Sequence, residues 1–356
     1  MANLKILSFG AGALGTYIGG SLALEGEQLV FVEQPRVADD LRSRGLRLDL
    51  TLDTGRNFKE ASVIAPSAFV VAGSLEDALR YGPFDVALFA LKSFDTAAAL
   101  EGMKPFAQKI PPVLCLSNGV ENEAAIGNVL GVDKVIPGTV TSAIGRRGTG
   151  DIVLERLRGV GIAASHPLSE KLVQASSAAF LNAKAFSNPA AMKWSKMLTN
   201  LIANPTSAIL DMTPGEIFAN SDLYRLEIRM LRECLAVMQA QDIPVVDLPG
   251  IPTRALAFAI RRPAWLSKPI LSGSAGSGRG GKMPSFHIDL HSGRGRSEVE
   301  YLNGTIARAG EKLGVPTPVN KFLTETLMSL TRREVPMDEF AHQADKLLAN
   351  LKKADG

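Results

Sequence analysis

Cysteine is scarce. Only Cys115 and Cys234 occur in 356 residues, and neither stands in a CxxC pair or beside spaced histidines. A disulfide framework and a cysteine zinc site are therefore not expected, and a reducing, cytoplasmic setting is. Histidine is equally sparse, with His166, His287, His291 and His342 alone. His287 and His291 are four apart and fit one helix face, but Gly293 and Gly295 follow and no third ligand lies near in sequence, so no metal is expected. An excess of one charge is missing too. The 39 Lys and Arg against 36 Asp and Glu leave a net charge of +3 with no basic block, which argues against nucleic acid. Short clusters at Arg146–Arg147 and Arg294–Arg296 remain for a small anion. The nearest approach to a long apolar run is the uncharged stretch Ile6–Leu24. Its glycines, Gly10, Gly12, Gly15, Gly19 and Gly20, are too many for a stable signal or anchor helix, so no membrane role is expected.

What is present explains that stretch better. Leu4–Phe9 reads as a short apolar strand, Gly10-Ala11-Gly12-Ala13-Leu14-Gly15 opens a helix running to about Glu25, and Gln28–Glu33 reads as a second strand. This is the dinucleotide fingerprint in its required context. Gly10 permits the tight turn, Gly12 lets backbone approach a pyrophosphate at the helix N-terminus, and Gly15 lets helix and strand pack closely. Glu33 ends the second strand, where a carboxylate accepts hydrogen bonds from the adenine-ribose hydroxyls and repels a 2′-phosphate. That favours NAD(H). The alternative turns Glu33 to solvent and lets Arg36 and Arg42 gather a phosphate, and the sequence leaves it open.

Asp85–Leu91 is almost wholly apolar, as a central parallel strand buried on both faces should be, and it delivers Lys92 to its carboxyl end. Pro112–Leu116 is the next such strand, followed at once by Ser117-Asn118-Gly119. Ligands of open α/β sheets bind outside the carboxyl ends of the strands, which puts Lys92 and Asn118 towards the reactive half of the cofactor. Val135–Gly138, Thr139–Gly145, Asp151–Leu157 and Gly159–Ala164 read as later strands. After Ser187-Asn188-Pro189 the pattern turns helical. The expected division is therefore 1–188, an α/β Rossmann-like NAD(P)-binding domain, and 189–356, an all-α substrate and catalytic domain.

Met192–Leu210, MKWSKMLTNLIANPTSAIL, reads as one apolar helix with three misplaced polar residues. Lys196, Asn200 and Asn204 stand at i, i+4 and i+8 and share a face, since each step of four drifts by only about 40°. Buried there they must find partners or line a wet cavity. Further on, Asp222–Asp242 reads as a long amphipathic helix. Leu248–Ser285 reads as short apolar helical stretches flanked by Pro249, Pro252, Pro263 and Pro269, followed by the Gly/Ser-rich stretch Ser272–Gly281, a linker or a lid. Glu298–Gly310 reads as a helix whose first acids, Glu298 and Glu300, ordinarily compensate its dipole.

Taken together, GAGALG at Gly10–Gly15, LK at Leu91–Lys92, SNG at Ser117–Gly119, KMLTNLIANPTSAI at Lys196–Ile209, PSFHID at Pro284–Asp289 and SEVEYLNG at Ser297–Gly304 resemble the ketopantoate reductase family in order and spacing. That family reduces 2-dehydropantoate to D-pantoate with NADPH on the route to coenzyme A. The resemblance implies a helical second domain like the C-terminal domain of 6-phosphogluconate dehydrogenase. It implies Lys196 as general acid, Glu298 as its support, Asn118, Asn200, Asn204 and Ser285 as substrate-binding groups, and Lys92 as a cofactor contact. It also implies NADP(H), while Glu33 keeps NAD(H) open. The expected partner is a small 2-keto acid. The competing readings are an NAD-dependent dehydrogenase of another 2-hydroxy acid and a non-catalytic nicotinamide-binding sensor. A homodimer through the apolar surface of the helical half is compatible with the composition.

Overall fold

The computed structural model describes residues 3–263, 267–268 and 282–354. The expected lid or linker at Ser272–Gly281 lies outside the described residues. The chain divides into two compact units, Met1–Lys193 with Leu248–Ile251, and Trp194–Asp247 with Pro252–Gly356.

The first unit is built on twelve strands, β1 (Lys5–Phe9), β2 (Gln28–Val32), β3 (Leu46–Asp49), β4 (Ser62–Ile64), β5 (Val70–Ala72), β6 (Val86–Phe89), β7 (Val113–Cys115), β8 (Val135–Val140), β9 (Ala143–Gly148), β10 (Asp151–Arg156), β11 (Val160–Ala163) and β12 (Ala183–Phe186). Eight form one sheet in the order β5-β2-β1-β6-β7-β8-β11-β12, parallel throughout except between β8 and β11. Every residue of β6 and β7 is buried, which is why these segments read as unbroken apolar runs rather than alternating ones. The chain passes from β1 outward to β2 and β5, then returns to β6 on the other side of β1, and that reversal makes a crevice at the carboxyl ends of β1 and β6. Phe9 pairs with Phe89 at that end, so the segments leaving both strands start side by side.

Four strands form a second, smaller sheet in the order β4-β3-β10-β9. It packs on the Ala13–Leu24 helix. Gly20 makes this close approach possible, because a Cβ there would stand 2.7 Å from Leu48 Cδ2. The expected strand Thr139–Gly145 is divided instead. The Thr141 hydroxyl donates to the carbonyls of Gly159 (2.9 Å) and Pro249 (2.8 Å), and the chain leaves the large sheet after Val140 to enter the small one at Ala143. The Pro249 bond also fastens Leu248–Ile251 to this unit.

The second unit is helical. Its longest helix, Ser221–Ala240, is amphipathic as its pattern requires, with Leu223, Leu226, Met230, Leu231 and Cys234 buried. Glu233 on this helix accepts the backbone N–H groups of Val319 and Asn320, each at 2.9 Å, and so satisfies the start of the Pro318–Thr331 helix. Burial holds that carboxyl above its ordinary pKa, and those hydrogen bonds pull the other way. The expected helix from Glu298 resolves into a 3-10 turn, Glu298–Tyr301, and a separate helix, Asn303–Leu313. No helix among the described residues is long and apolar enough to cross a membrane.

Both thiols are free and wholly buried. Burial pushes both pKa values up, with the charge of Glu123 adding to it at Cys115 and that of Glu233 at Cys234. The native protein should leave a thiol-disulfide reagent such as Ellman's unreacted at mildly alkaline pH, and should release two equivalents once unfolded in guanidinium. Rapid release of even one equivalent from the native protein would contradict this packing.

Candidate functional site

In the first unit the site begins with the turn after β1. Gly10 adopts φ +91°, and a Cβ there would press on Leu91 Cδ2 at 2.9 Å. A Cβ on Gly15 would run into the Gly10 carbonyl oxygen, so the helix can fold back on the strand only with glycine at that position. Gly12 is different. It is the N-cap of the Ala13–Leu24 helix, and a Cβ there would meet nothing within 4 Å. No acid stands in the first turn. Its N-terminal dipole and backbone N–H groups are thus available to an anion such as a pyrophosphate. Glu33 folds back over this turn, where its carboxylate accepts the Ala11 backbone N–H and, at 3.3 Å, that of Gln34. Arg36 is exposed in the first turn of the Pro35–Arg44 helix. Arg42 is engaged elsewhere, on the Val71 carbonyl at 3.0 Å and Asp39 at 2.7 Å.

The segments leaving β6 and β7 are stitched together. The Ser117 hydroxyl donates to the Leu91 carbonyl and the Ser93 hydroxyl to the Asn118 carbonyl, both at 2.8 Å. Asn122 adds a bond to the Asn118 carbonyl at 2.6 Å. Lys92 and Asn118, both half-buried, are therefore carried on backbone with little freedom to move.

Sequence reasoning missed Lys193. Its ammonium is buried, 6% exposed, and donates to the carbonyls of Ser117 (2.8 Å) and Gly138 (3.2 Å) while pairing with Glu123 at 2.7 Å. Burial alone would lower its pKa, but Glu123 and the neighbouring Cys115 outweigh that and leave it above the ordinary lysine value. The group is therefore a charged clamp on the loop that carries Asn118, not an acid-base catalyst. In the sequence it reads only as the first lysine of MKWSK.

In the second unit the expected single helix over Met192–Leu210 is broken. It runs Pro189–Leu201, stops at Ala203, which adopts φ 52° and ψ 11°, and restarts as Asn204–Leu210 with Pro205 in its first turn. A carboxylate holds the break. Glu227, wholly buried in the Ser221–Ala240 helix, accepts the Ala203 N–H at 2.8 Å and the Thr206 hydroxyl at 2.6 Å. Its sequence signal is an acid on an apolar stripe, between Leu223 and Leu231 at helical spacing.

The break leaves the polar residues connected by another route. Lys196 Nζ donates to Asn200 Oδ1 at 2.8 Å, one turn along the helix. Asn204 Nδ2 donates to the Asn200 backbone carbonyl at 3.0 Å and to Ser285 Oγ at 3.3 Å, and its Oδ1 accepts the Phe286 N–H at 3.0 Å. Lys196, Asn200, Asn204 and Ser285 thus form one chain of contacts across three helices. Glu298 is 1% exposed, on the turn that packs against the Ser285–His291 helix, whereas Glu300 is exposed and paired with Arg332 at 3.0 Å.

A glycine cradle at a switch point and a half-buried lysine-amide chain define an NAD(P)H-dependent oxidoreductase when joined to the family evidence. Residues 6–165 match the family "Ketopantoate reductase PanE/ApbA" and residues 188–331 match its C-terminal counterpart, "Ketopantoate reductase PanE/ApbA C terminal". The chain belongs to the ketopantoate reductase family. A 2-dehydropantoate 2-reductase of Streptococcus pyogenes is 24% identical over 277 residues, covering 74% of this chain and 84% of that protein. The crystal structure of a PanE/ApbA family ketopantoate reductase from Ralstonia eutropha JMP134 has a TM-score of 0.74 and 27% identity, covering 93% of this chain and 99% of that one. D-mandelate dehydrogenase, in a ternary structure with NADH and anilino(oxo)acetate, has a TM-score of 0.73 at 21% identity, over 92% of this chain and 98% of that one.

The Lys193 clamp is testable. Lys193→Met should cost on the order of 3 kcal/mol by denaturant unfolding, because it strands Glu123 and leaves two carbonyls unbonded. Glu123→Leu combined with it should recover a substantial part of that loss. Strict additivity of the two single losses would show that the pair is not coupled.

Proposed function

We propose that this protein reduces ketopantoate, 2-dehydropantoate, to D-pantoate, using NADH in preference to NADPH. The observation that supports the reaction most directly is the Lys196 ammonium held by Asn200 at 2.8 Å, in one hydrogen-bonded chain with Ser285. When bound, the reduced nicotinamide supplies hydride to the substrate ketone. The oxygen of that ketone gains a full negative charge, and a cation with a transferable proton beside it both stabilises the transition state and completes the reaction. Lys196 carries that proton on Nζ. Asn200 fixes where Nζ lies, and Asn204 positions Asn200 and Ser285 together, its own amide being spent on protein groups. Ser285 Oγ is assigned to the substrate carboxylate, and buried Glu298 to orienting Lys196. Asn118 is assigned to the substrate and the nicotinamide end, Lys92 to the cofactor.

The groups that would hold the cofactor fit it. Gly12 leaves open space for the pyrophosphate at a helix N-terminus with no acid in its first turn, framed by Gly10 and Gly15. The preference for NADH rests on Glu33, whose carboxylate lies on the Ala11 N–H beside that turn, where it favours ribose hydroxyls and opposes a 2′-phosphate. Arg36 is the one nearby cation assigned to the adenosine side. The same carboxylate favours a second reading, an NADH-dependent reductase of another 2-keto acid. A non-catalytic nicotinamide sensor is the third, and it makes Lys196 merely structural.

Initial rates with NADH and NADPH, on ketopantoate and on 2-oxo-2-phenylacetate, separate the first two. Ketopantoate with NADH should be the best pair, and negligible turnover of ketopantoate with either nucleotide would remove the proposed substrate. Lys196→Ala should lower kcat by roughly a hundredfold or more while the protein stays folded and binds nucleotide. An unfolded variant, or full retained activity, would argue against the general-acid role. Glu33→Ser should shift the nucleotide preference towards NADPH, and an unchanged preference would dissociate Glu33 from cofactor choice.

A further inference from the structure

The sequence offers His287 and His291 on one helix face without a third ligand, and the fold supplies one. Asp211 is the left-handed C-cap of the Asn204–Leu210 helix, at φ 51° and ψ 42°. That conformation sets its carboxylate against the Ser285–His291 helix, where Oδ1 lies 2.8 Å from His287 Nε2. The His287 and His291 rings are 4.1 Å apart between centroids. Among the described residues, one ligand atom from each of Asp211, His287 and His291 lies within 4.8 Å of the others, a grouping no other His, Cys, Asp or Glu set achieves.

We propose that Asp211, His287 and His291 bind a divalent transition-metal ion of the zinc, cobalt or nickel kind. Three ligand atoms held at about 2.1 Å from a common ion lie roughly 3–3.5 Å from one another, so the observed spread closes with small side-chain rotations. Two imidazoles with one carboxylate suit borderline ions rather than calcium or magnesium, which take oxygen. Two imidazoles packed ring against ring give each other little, whereas a shared ion would take one ring nitrogen of each. The surrounding charge is mixed. Glu216 and His342 lie near Asp211 and Arg333 near His291, so the site carries no excess of cations that would expel the ion. Two or more coordination positions stay open for water. The ion would tie the end of the Asn204–Leu210 helix to the Ser285–His291 helix, the two elements that carry Asn204 and Ser285. Binding itself does not depend on the reaction assigned to those residues.

Calorimetric titration of the untagged, metal-stripped full-length protein with zinc chloride tests this, with cobalt absorption as a second readout. One equivalent should bind, and should raise the thermal midpoint of the wild type. His291→Ala and Asp211→Asn should each weaken zinc by at least about tenfold, since even outer-shell losses cost that much. His166→Ala, remote in sequence and in the other unit, should bind as the wild type does. Absence of a one-equivalent site, or weakening by His166→Ala equal to that by His291→Ala, would overturn the proposal and leave His287 and Asp211 as a simple hydrogen-bonded pair.

Discussion

The carboxylate of Glu227 sets the shape of the second unit where its chemistry is proposed to lie. A left-handed backbone conformation at Ala203 costs roughly 1–2 kcal/mol for an L residue, and Pro205 withdraws a further donor from the restarting helix. Two hydrogen bonds to a buried carboxylate, from the Ala203 N–H at 2.8 Å and the Thr206 hydroxyl at 2.6 Å, offset this. The bond from Ala203 gives its backbone N–H a partner where the helix stops. The consequence of the break is geometric. Asn204, freed from the continuous helix, brackets the Asn200 carbonyl on one side and Ser285 and the Phe286 N–H on the other.

The first unit solves a related problem with a cation. Where parallel strands end, their last carbonyls lose their ladder partners and must be satisfied by something else. In the segments that follow β6 and β7, the Ser117 and Ser93 hydroxyls and the Asn122 amide bond the Leu91 and Asn118 carbonyls. The buried Lys193 ammonium takes the Ser117 carbonyl after β7 and the Gly138 carbonyl within β8 together. A buried ammonium is tolerable only with a counter-charge, and Glu123 supplies it at 2.7 Å. Two lysines on one helix thus have separate work. Lys193 is locked by an acid and two carbonyls, whereas Lys196 donates to the side-chain amide of Asn200 one turn along.

The strands and the glycine turn were legible because their signals are local. A fully buried run such as Val86–Phe89 and the spacing of Gly10, Gly12 and Gly15 require nothing beyond neighbouring residues to be understood. The helix break at Ala203 was not legible, since Pro205 reads equally well as the N1 residue of a new helix or a kink in an old one. What decides is Glu227, distant in sequence. Lys193, Asp211 and the departure of the chain from the large sheet after Val140 failed for the same reason. Each is fixed by a partner, Glu123, the His287–His291 pair or the Pro249 carbonyl, that only tertiary structure brings near. Lys196, Asn200 and Asn204 stand out by type and spacing and Ser285 by the family resemblance, but the route by which they connect was not foreseeable from one helix face.

The proposed nucleotide choice turns on a small energy at Glu33. Its bond from the Ala11 N–H is charge-assisted and so worth roughly 1.5–3 kcal/mol. A ribose hydroxyl can join that carboxylate as a donor without displacing it, whereas a 2′-phosphate brings like charge to the same place and would have to turn it away. Forfeiting the bond alone corresponds to about one to two powers of ten in binding, at 1.4 kcal/mol per factor of ten. An exposed arginine such as Arg36 recovers only part of that, because water already solvates its charge and salt screens the attraction. The proposed preference for NADH therefore rests on one carboxylate whose position is set by the backbone of the glycine turn.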